Sequence, residues 1–404
     1  MFGSKERRRA KDMRSQVKKL LRHQSDLLES SKKQALVDGL NEFSEIIDDK
    51  SRASELPEAM KTFEQIANEN FIPYANPIKR ENIEVFLVAV VVALAVRSFF
   101  IQPFKIPTGS MQPTLYGNVA KNLLINPDVD VPNFLGRVFD FAIKGTSYYQ
   151  LKAKNDGALE SVGKVRTVIP WILKKRDLYI GGVKHTMWNP PPVLLNANGI
   201  AQRDYLLDML QEQAMSLGKR QVFKKGDPIV QFNMVRGDFL FVDRLSYNFR
   251  TPKRGEIIVF KTAGIKGIRG GNQFYIKRLV ALGGEKVRIG DDRHLYINDK
   301  KLTKENKGFE KIYSFDPSIP PRPDRYSGHV NNKTYSQVNP GFGLSSYFYN
   351  GNSEYQVRPK HVMAMGDNSM NSSDSRAWGD FPQSNVVGRF AFTFWPFLRD
   401  IPEN

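Results

Sequence analysis

Polar and apolar positions divide the 404-residue chain into three stretches of different rhythm. Over residues 1–80, Val17, Leu20, Leu21, Leu27 and Leu28, then Leu36, Val37 and Leu40, recur at loose helical spacing in a polar background. The spacing predicts two or three amphipathic helices ending near Pro73 and Pro77. Residues 83–101, IEVFLVAVVVALAVRSFFI, have no polar face, and 12 apolar residues run unbroken from Val85 to Val96. At about 1.5 Å of rise per residue the segment spans roughly 28 Å, the depth of a bilayer core. Glu84 and Arg97 stand near its ends, where long side chains reach the interface. A buried helix of a soluble core is the other reading, and the missing polar face favours lipid. No second comparable segment follows, so the pattern predicts a single pass.

Beyond residue 102 the rhythm shortens to β-rich runs punctuated by Gly and Pro. Asp238–Arg244, Glu256–Lys261, Phe274–Leu282, Lys286–Ile289, His361–Met365 and Val386–Phe394 read as strands. The fold class expected is a mainly β domain after one transmembrane helix, with an α-helical N-terminal extension. Residues 102–404 form the β-rich domain, with insertions near 118–230 and 300–360. The first insertion is of mixed character and carries a predicted helix at Ala201–Leu217. The second is loop-rich, with prolines at 317, 320, 321 and 323.

Charge adds a partner class. The chain has 60 Lys and Arg against 42 Asp and Glu, a net charge of +18. Anionic lipid and nucleic acid are natural partners for such a charge. The first 22 residues hold nine basic side chains against Glu6 and Asp12. They suit an anionic membrane face, or a merely solvated extension. Basic residues in the first insertion are dispersed, and no nucleic-acid motif accompanies them, so nucleic acid is not an expected partner. No apolar stretch follows the basic one closely enough for a cleavable leader. The chain has no cysteine and five scattered histidines, so thiol chemistry is excluded and neither a metal nor another cofactor is expected. Catalysis must run on hydroxyls, amines and carboxylates.

Three segments carry such groups. Just past the apolar helix, Ser110 lies between Gly109 and Met111 after the stiff Ile106-Pro107; alone it could be a turn. Phe274–Leu282 places Lys277 and Arg278 inside an otherwise apolar strand. Alternation puts Tyr275, Lys277 and Leu279 on one face and Ile276, Arg278 and Val280 on the other, so one basic group must meet an apolar environment. A desolvated lysine gives up its proton readily and can serve a hydroxyl as general base. A solvated lysine on an edge strand is the plain alternative. The third segment runs from Gly366 to Arg376, followed by Trp378-Gly379, and its Asn, Ser and Asp residues suggest a loop held by its own side chains. Asp374 and Arg376 could pair with each other or with Arg278.

Together, P-T-G-S-M-x-P-T-L, G-D-F-L-F-V-D-R, P-K-R-G-E-I-I-V-F, Y-I-K-R-L-V-A-L-G-G and G-D-N-(x)3-S-x-D-S-R resemble bacterial type I signal peptidase. That family comprises membrane-bound Ser–Lys endopeptidases that remove signal peptides from exported preproteins. The resemblance covers roughly 83–116, 236–290 and 361–396, and omits 1–80 and most of 118–230. It implies Ser110 as nucleophile and Lys277 as general base. It implies an oxyanion hole from the Thr108 hydroxyl and the Ser110 backbone N–H, with Ser372 orienting the lysine. Arg278, Asp374 and Arg376 would form a supporting ion-pair network, with Asp367 and Asn368 structural in the same loop. Ile106, Pro107, Leu115, Tyr275 and Ile276 would lie near the pockets for small residues before the cleaved bond. Ala281-Leu282-Gly283-Gly284-Glu285 departs from the more usual Gly-Leu-Pro-Gly-Asp, and the insertion before Gly237 is unusually long; both bear on the pocket rim and substrate range.

The partners implied are preproteins with signal peptides and the lipid bilayer. The implied location is the inner (cytoplasmic) membrane, with residues 1–80 cytoplasmic and the β domain on the outer face. A soluble-type Ser–Lys self-cleaving repressor protease is the competing enzyme reading, against which the apolar helix and the five motifs argue. An inactive membrane scaffold is the competing reading from another class, and the intact Ser110, Lys277 and Ser372 argue against it.

Overall fold

The computed structural model describes residues 2–73, 76–125, 131–195, 201–217, 221–268, 271–322, 326–341, 343–344 and 347–399. Two compact units divide the chain, Met1–Val92 and Ala93–Asn404.

In the first unit, α1 (Phe2–Gln24), α2 (Ser30–Asp48) and α3 (Leu56–Asn70) pack as a bundle. Its core holds Ala10 and Val17 from α1, Leu36, Leu40, Phe43 and Ile47 from α2, and Leu56, Phe63 and Ala67 from α3. The Phe43 and Phe63 rings stack with centroids 4.5 Å apart. The buried Gln24 amide donates to Ile72 O at 2.9 Å and accepts from Ile72 N at 3.0 Å, tying the end of α1 to the end of the bundle. The apolar stripe expected to face lipid is therefore spent on a protein core. Only charge is left outward, on the exposed Lys5, Arg8, Arg9, Lys11, Lys18, Lys19 and Arg22.

The apolar helix α4 covers Pro77–Phe99 and begins six residues before the predicted start at 83. Its Lys79–Phe99 portion has 21 residues of mean hydropathy 2.0, none buried. Among the described residues it is the one helix long and apolar enough to cross a membrane. Ile101, expected as its last residue, instead opens strand β1 (Ile101–Lys105).

In the second unit every strand pairing among the described residues is antiparallel. After β1 come β2 (Val119–Asn122), α5 (Phe134–Phe139), β3 (Thr146–Lys152), β4 (Gly157–Val162), β5 (Arg166–Ile169), β6 (Leu173–Ile180) and β7 (Val183–Trp188). There follow β8 (Val193–Leu195), β9 (Ala201–Asp204), α6 (Tyr205–Leu217), β10 (Val222–Phe223), β11 (Pro228–Val235), β12 (Phe239–Asp243), β13 (Ile257–Lys261) and β14 (Phe274–Leu282). The chain continues with β15 (Lys286–Ile289), β16 (Leu295–Ile297), β17 (Lys300–Lys301), α7 (Asn332–Ser336), β18 (Glu354–Gln356), β19 (His361–Met365), α8 (Ser375–Trp378), β20 (Phe381–Pro382) and β21 (Val386–Trp395).

One seven-stranded sheet, ordered β1-β12-β21-β13-β14-β19-β20, carries Lys277 and Arg278 on β14. On β12, Leu240 and Val242 are buried with Ile106, Met111 and Leu115, whereas Phe239 and Phe241 turn to the other face and meet the aromatics of β21. Alternation thus separates the two sides of the sheet.

The first insertion is more ordered than its mixed composition suggested. It builds a β2-β11-β3 sheet and a second sheet, β10-β4-β6-β5 with β7, over a core that includes Leu178, Ile180, Leu206, Met209 and Phe232. The helix expected from Ala201 starts only at Tyr205. Residues 201–204 pair instead with β8. Asp204 Oδ1 accepts from Leu207 N at 3.3 Å, acting as an N-terminal cap. In the second insertion, β17-β16-β15-β18 form a small sheet, and Phe309, Ile312, Tyr313 and Phe348 join the core that contains Val280 and Met365. Pro317, Pro320 and Pro321 lie outside helices and strands, and residue 323 lies outside the described residues.

Candidate active site

Ser110 sits in a single helical turn, Gly109–Met111, entered from the extended Thr108. Two sets of hydrogen bonds hold the turn in place. Ile106 N donates to Asp238 O at 2.9 Å, and Asn118 N donates to Pro107 O at 3.2 Å. From the other side, Asn368 N donates to Ser110 O at 3.0 Å and Asn368 Nδ2 to Gly109 O at 3.2 Å. Met111 and Leu115, both buried with Ile106, weight the turn from beneath.

Lys277 lies on β14 opposite Ile258 of β13, in the middle of the main sheet. Its Nζ is 2.6 Å from Ser110 Oγ, across 167 residues of sequence. Both side chains are buried, Ser110 at 6% and Lys277 at 5% exposure. Burial lowers the Lys277 pKa to about 8, against the opposing pull of the Asp374 and Asp367 carboxylates; Arg376 adds a smaller push in the same direction as burial. A lysine amine that shares its proton with a serine hydroxyl and loses charge near neutrality can act as a base.

Both basic residues of β14 are buried, and each has its own solution. Arg278 Nε and Nη2 grip Asp367 at 2.8 and 2.6 Å, Nη1 donates to Gly255 O at 2.6 Å, and Nη2 reaches Thr114 Oγ1 at 3.2 Å. Arg376 grips Asp374 with two bonds of 2.8 Å and donates to Ser369 Oγ at 2.6 Å and Ser369 O at 2.7 Å. The expected network of Arg278, Asp374 and Arg376 is therefore two separate bidentate pairs. The partner of Arg278 is Asp367, which the sequence reading had left as merely structural. Burial raises the Asp374 pKa, but the Arg376 guanidinium and the hydrogen bonds around it outweigh burial and leave it lowered.

Ser372 is brought to the site without the expected hydrogen bond. Its Oγ is buried and has no hydrogen-bond partner. A methyl group at Gly366 would stand 2.2 Å from that Oγ and 2.5 Å from Ser110 O, so the Ser110 turn and the 366–376 loop converge where only glycine fits. Thr108 and Pro107 are exposed beside the nucleophile turn. Among the proposed pocket residues, Ile106, Leu115 and Ile276 share one apolar cluster. Tyr275 falls in another, against Trp378 at 5.9 Å between ring centroids, while its ring also lies 5.7 Å from Lys277 Nζ.

Sequence reasoning missed three contributors: Asp367, Asn368 as a clamp on the Ser110 turn, and Val330, whose carbonyl accepts from Arg376 Nη1 at 3.2 Å. The first two stand in a motif already singled out, but alternation and spacing do not reveal which carboxylate meets which guanidinium. Val330 belongs to the second insertion and carries no signal of its own.

The signal peptidase (peptidase S26) family matches residues 79–128 and 230–395, just over half of the chain. Every residue proposed for the site falls within these two segments. A probable signal peptidase I-2 of Synechocystis is 27% identical over 173 residues, 43% of this chain and 60% of the relative. Signal peptidase I of Pseudomonas fluorescens is 29% identical over 196 residues, covering 41% and 63%. The chain thus spans about three fifths of the length of these relatives. A crystal structure of a signal peptidase I from Enterococcus faecalis matches 35% of this chain and 98% of its own at 27% identity, with a TM-score of 0.23 that is too low to bear on the fold. By the extent of the family match, this chain belongs to the peptidase S26 family of signal peptidases.

Proposed function

We propose that the chain is a membrane-bound serine endopeptidase that removes N-terminal signal peptides from exported preproteins. The observation that carries this reading is the buried contact of 2.6 Å between Lys277 Nζ and Ser110 Oγ, with the amine pKa lowered to about 8. Neutral Lys277 takes the hydroxyl proton as Ser110 Oγ attacks the scissile carbonyl. The Ser110 backbone N–H and the Thr108 hydroxyl stabilise the oxyanion. The ammonium then protonates the departing amine, leaving an acyl ester on Ser110 and a neutral Lys277. Lys277 next deprotonates a water that attacks the ester, and its proton returns to Ser110. Ile106, Pro107, Leu115, Tyr275 and Ile276 line the approach of the small residues before the bond, Ser372 accepts from the amine only once it has become an ammonium, and the Arg278 and Arg376 pairs keep β14 and the 366–376 loop in register.

In this reading α4 anchors the chain in the inner (cytoplasmic) membrane, with the bundle on the cytoplasmic side and the β domain outside. Ser110 follows the end of α4 by only 11 residues. A signal peptide's cleavage site follows its apolar segment by a similarly short distance, so the two can meet at the interface. The basic face of α1 meets anionic lipid through charge alone, since its apolar residues lie in the bundle core.

The test is cleavage of a signal-peptide mimic ending in Ala-x-Ala by detergent-solubilised protein. Wild-type chain is expected to cut after the second Ala and Ser110→Ala to be inactive. Equal activity of the two would overturn the assignment.

A further inference from the structure

The segment between the two family-matched stretches holds a hairpin, β5–β6, whose tip is left uncovered by the described residues. Val168 and Ile169 are 45% exposed, Trp171 99% and Ile172 74%. Burying such side chains stabilises a protein, so four adjacent ones left in water mark a surface made to be covered.

Its charges say by what. From Gly163 to Arg176 the hairpin carries Lys164, Arg166, Lys174, Lys175 and Arg176 and no acidic residue. Arg176 is neutralised by Asp204 at 2.7 Å; among the described residues the other four make no salt bridge, although Lys175 feels the charge of Asp177, farther along the same strand. Arg166 stands directly opposite Lys175 across the strand pair. Like charges in that position repel unless an anion lies between or above them. Trp171 also holds a left-handed backbone with φ of 67°, a conformation that costs a non-glycine residue free energy. An apolar tip headed by tryptophan, above a collar of unpaired cations, matches the cross-section of an anionic lipid surface: hydrocarbon, then headgroup phosphate.

We propose that the β5–β6 hairpin is a membrane-docking finger, with Val168, Ile169, Trp171 and Ile172 entering the interface and Lys164, Arg166, Lys174 and Lys175 binding anionic phospholipid headgroups. The inference rests on the reading of α4 as a membrane span, which holds a bilayer within reach of the domain at all times. A second copy of the chain fits the charges poorly, because the collar would face its own like.

The chain has no cysteine, so Ile172→Cys provides a single labelling site that leaves Trp171 in place. The full chain carrying this change is labelled with an environment-sensitive fluorophore and reconstituted into vesicles of phosphatidylethanolamine and phosphatidylglycerol. Flotation with the vesicles checks the anchor; the label checks the finger. The expected result is blue-shifted emission, quenched by lipid with a nitroxide near the headgroup and shielded from aqueous iodide. Lys174→Gln and Lys175→Gln should each lower the docked-to-free ratio roughly fivefold, with cleavage of a short soluble peptide unchanged. Flotation with a label open to iodide and untouched by nitroxide lipid would overturn the finger and spare the anchor. A blue shift that grows with protein density without nitroxide quenching would report contact between copies, and would overturn it too. Failure to float would overturn the anchor and the finger with it.

Discussion

An unperturbed lysine titrates near ~10.4, and the influences that move Lys277 from there can be ranked. Burial dominates, two carboxylates oppose it, and Arg376 helps slightly. In the fold each guanidinium is gripped by its own carboxylate, so their net field at the amine is small and desolvation decides. Since only the neutral amine is a base, kcat/KM on a peptide substrate should rise with pH through about 8. Lys277→Arg should be inactive at every pH, because a guanidinium keeps its proton. A rising limb at the free-lysine value, or an active arginine variant, would sink the assignment. Between about 8 and the unfolded value the unfolded chain holds the extra proton, so the stability of the wild type rises with pH across that window. Lys277→Met should therefore stabilise the fold most below pH 8, as urea titrations at several pH values would show. Ser372→Ala should change the melting temperature little, since its buried hydroxyl makes no well-formed hydrogen bond, although it lies close enough to Asp374 to favour that carboxylate. Under the proposed role, in which the Ser372 hydroxyl accepts from the ammonium form of Lys277, kcat should fall about fivefold without it. Wild-type kcat in this variant would make Ser372 a packing residue.

At the scale of elements, β14 shows what a strand gains from two buried cations. Lys277 is the proposed base, whereas Arg278 bolts β14 to the loop after β19 through Asp367 and to the loop before β13 through Gly255. Breaking a buried bidentate pair from one side leaves the other charge unpaired. Asp367→Ala should cost about 3–5 kcal/mol in denaturant unfolding. Replacing both partners, Arg278→Met with Asp367→Leu, should recover part of that loss. A single variant as stable as the wild type would show that the pair carries no structure. Strand positions were legible from period-2 patterning, and Phe274–Leu282 agrees residue for residue. Helix starts were less so: α6 begins where Asp204 can cap it, a choice that depends on the pairing of residues 201–204 with β8.

For the whole molecule, the two units have separate cores. All residues assigned to the chemistry lie between Ile106 and Arg376, outside the bundle. Deleting residues 1–75 should thus leave kcat on a short soluble peptide nearly unchanged. A large loss with circular dichroism of the β domain intact would show that the bundle acts on the site.

Periodicity and motif chemistry by themselves determined the order of the chain: a helical extension, one apolar helix, then β strands, with Ser110, Lys277 and the 366–376 loop as its candidate reactive points. These are local properties, written in the spacing of side chains along a few residues. The tertiary structure decided what depends on distance. It closed the apolar stripe of α1 into a bundle, chose Asp367 over Asp374 as the partner of Arg278, and turned the first insertion from a stretch of mixed composition into three sheets with an exposed hairpin. It also set the Lys277 amine 2.6 Å from the Ser110 hydroxyl. Pairing between residues far apart in sequence depends on which surfaces exclude water together, and burial of that kind belongs to the folded chain as a whole.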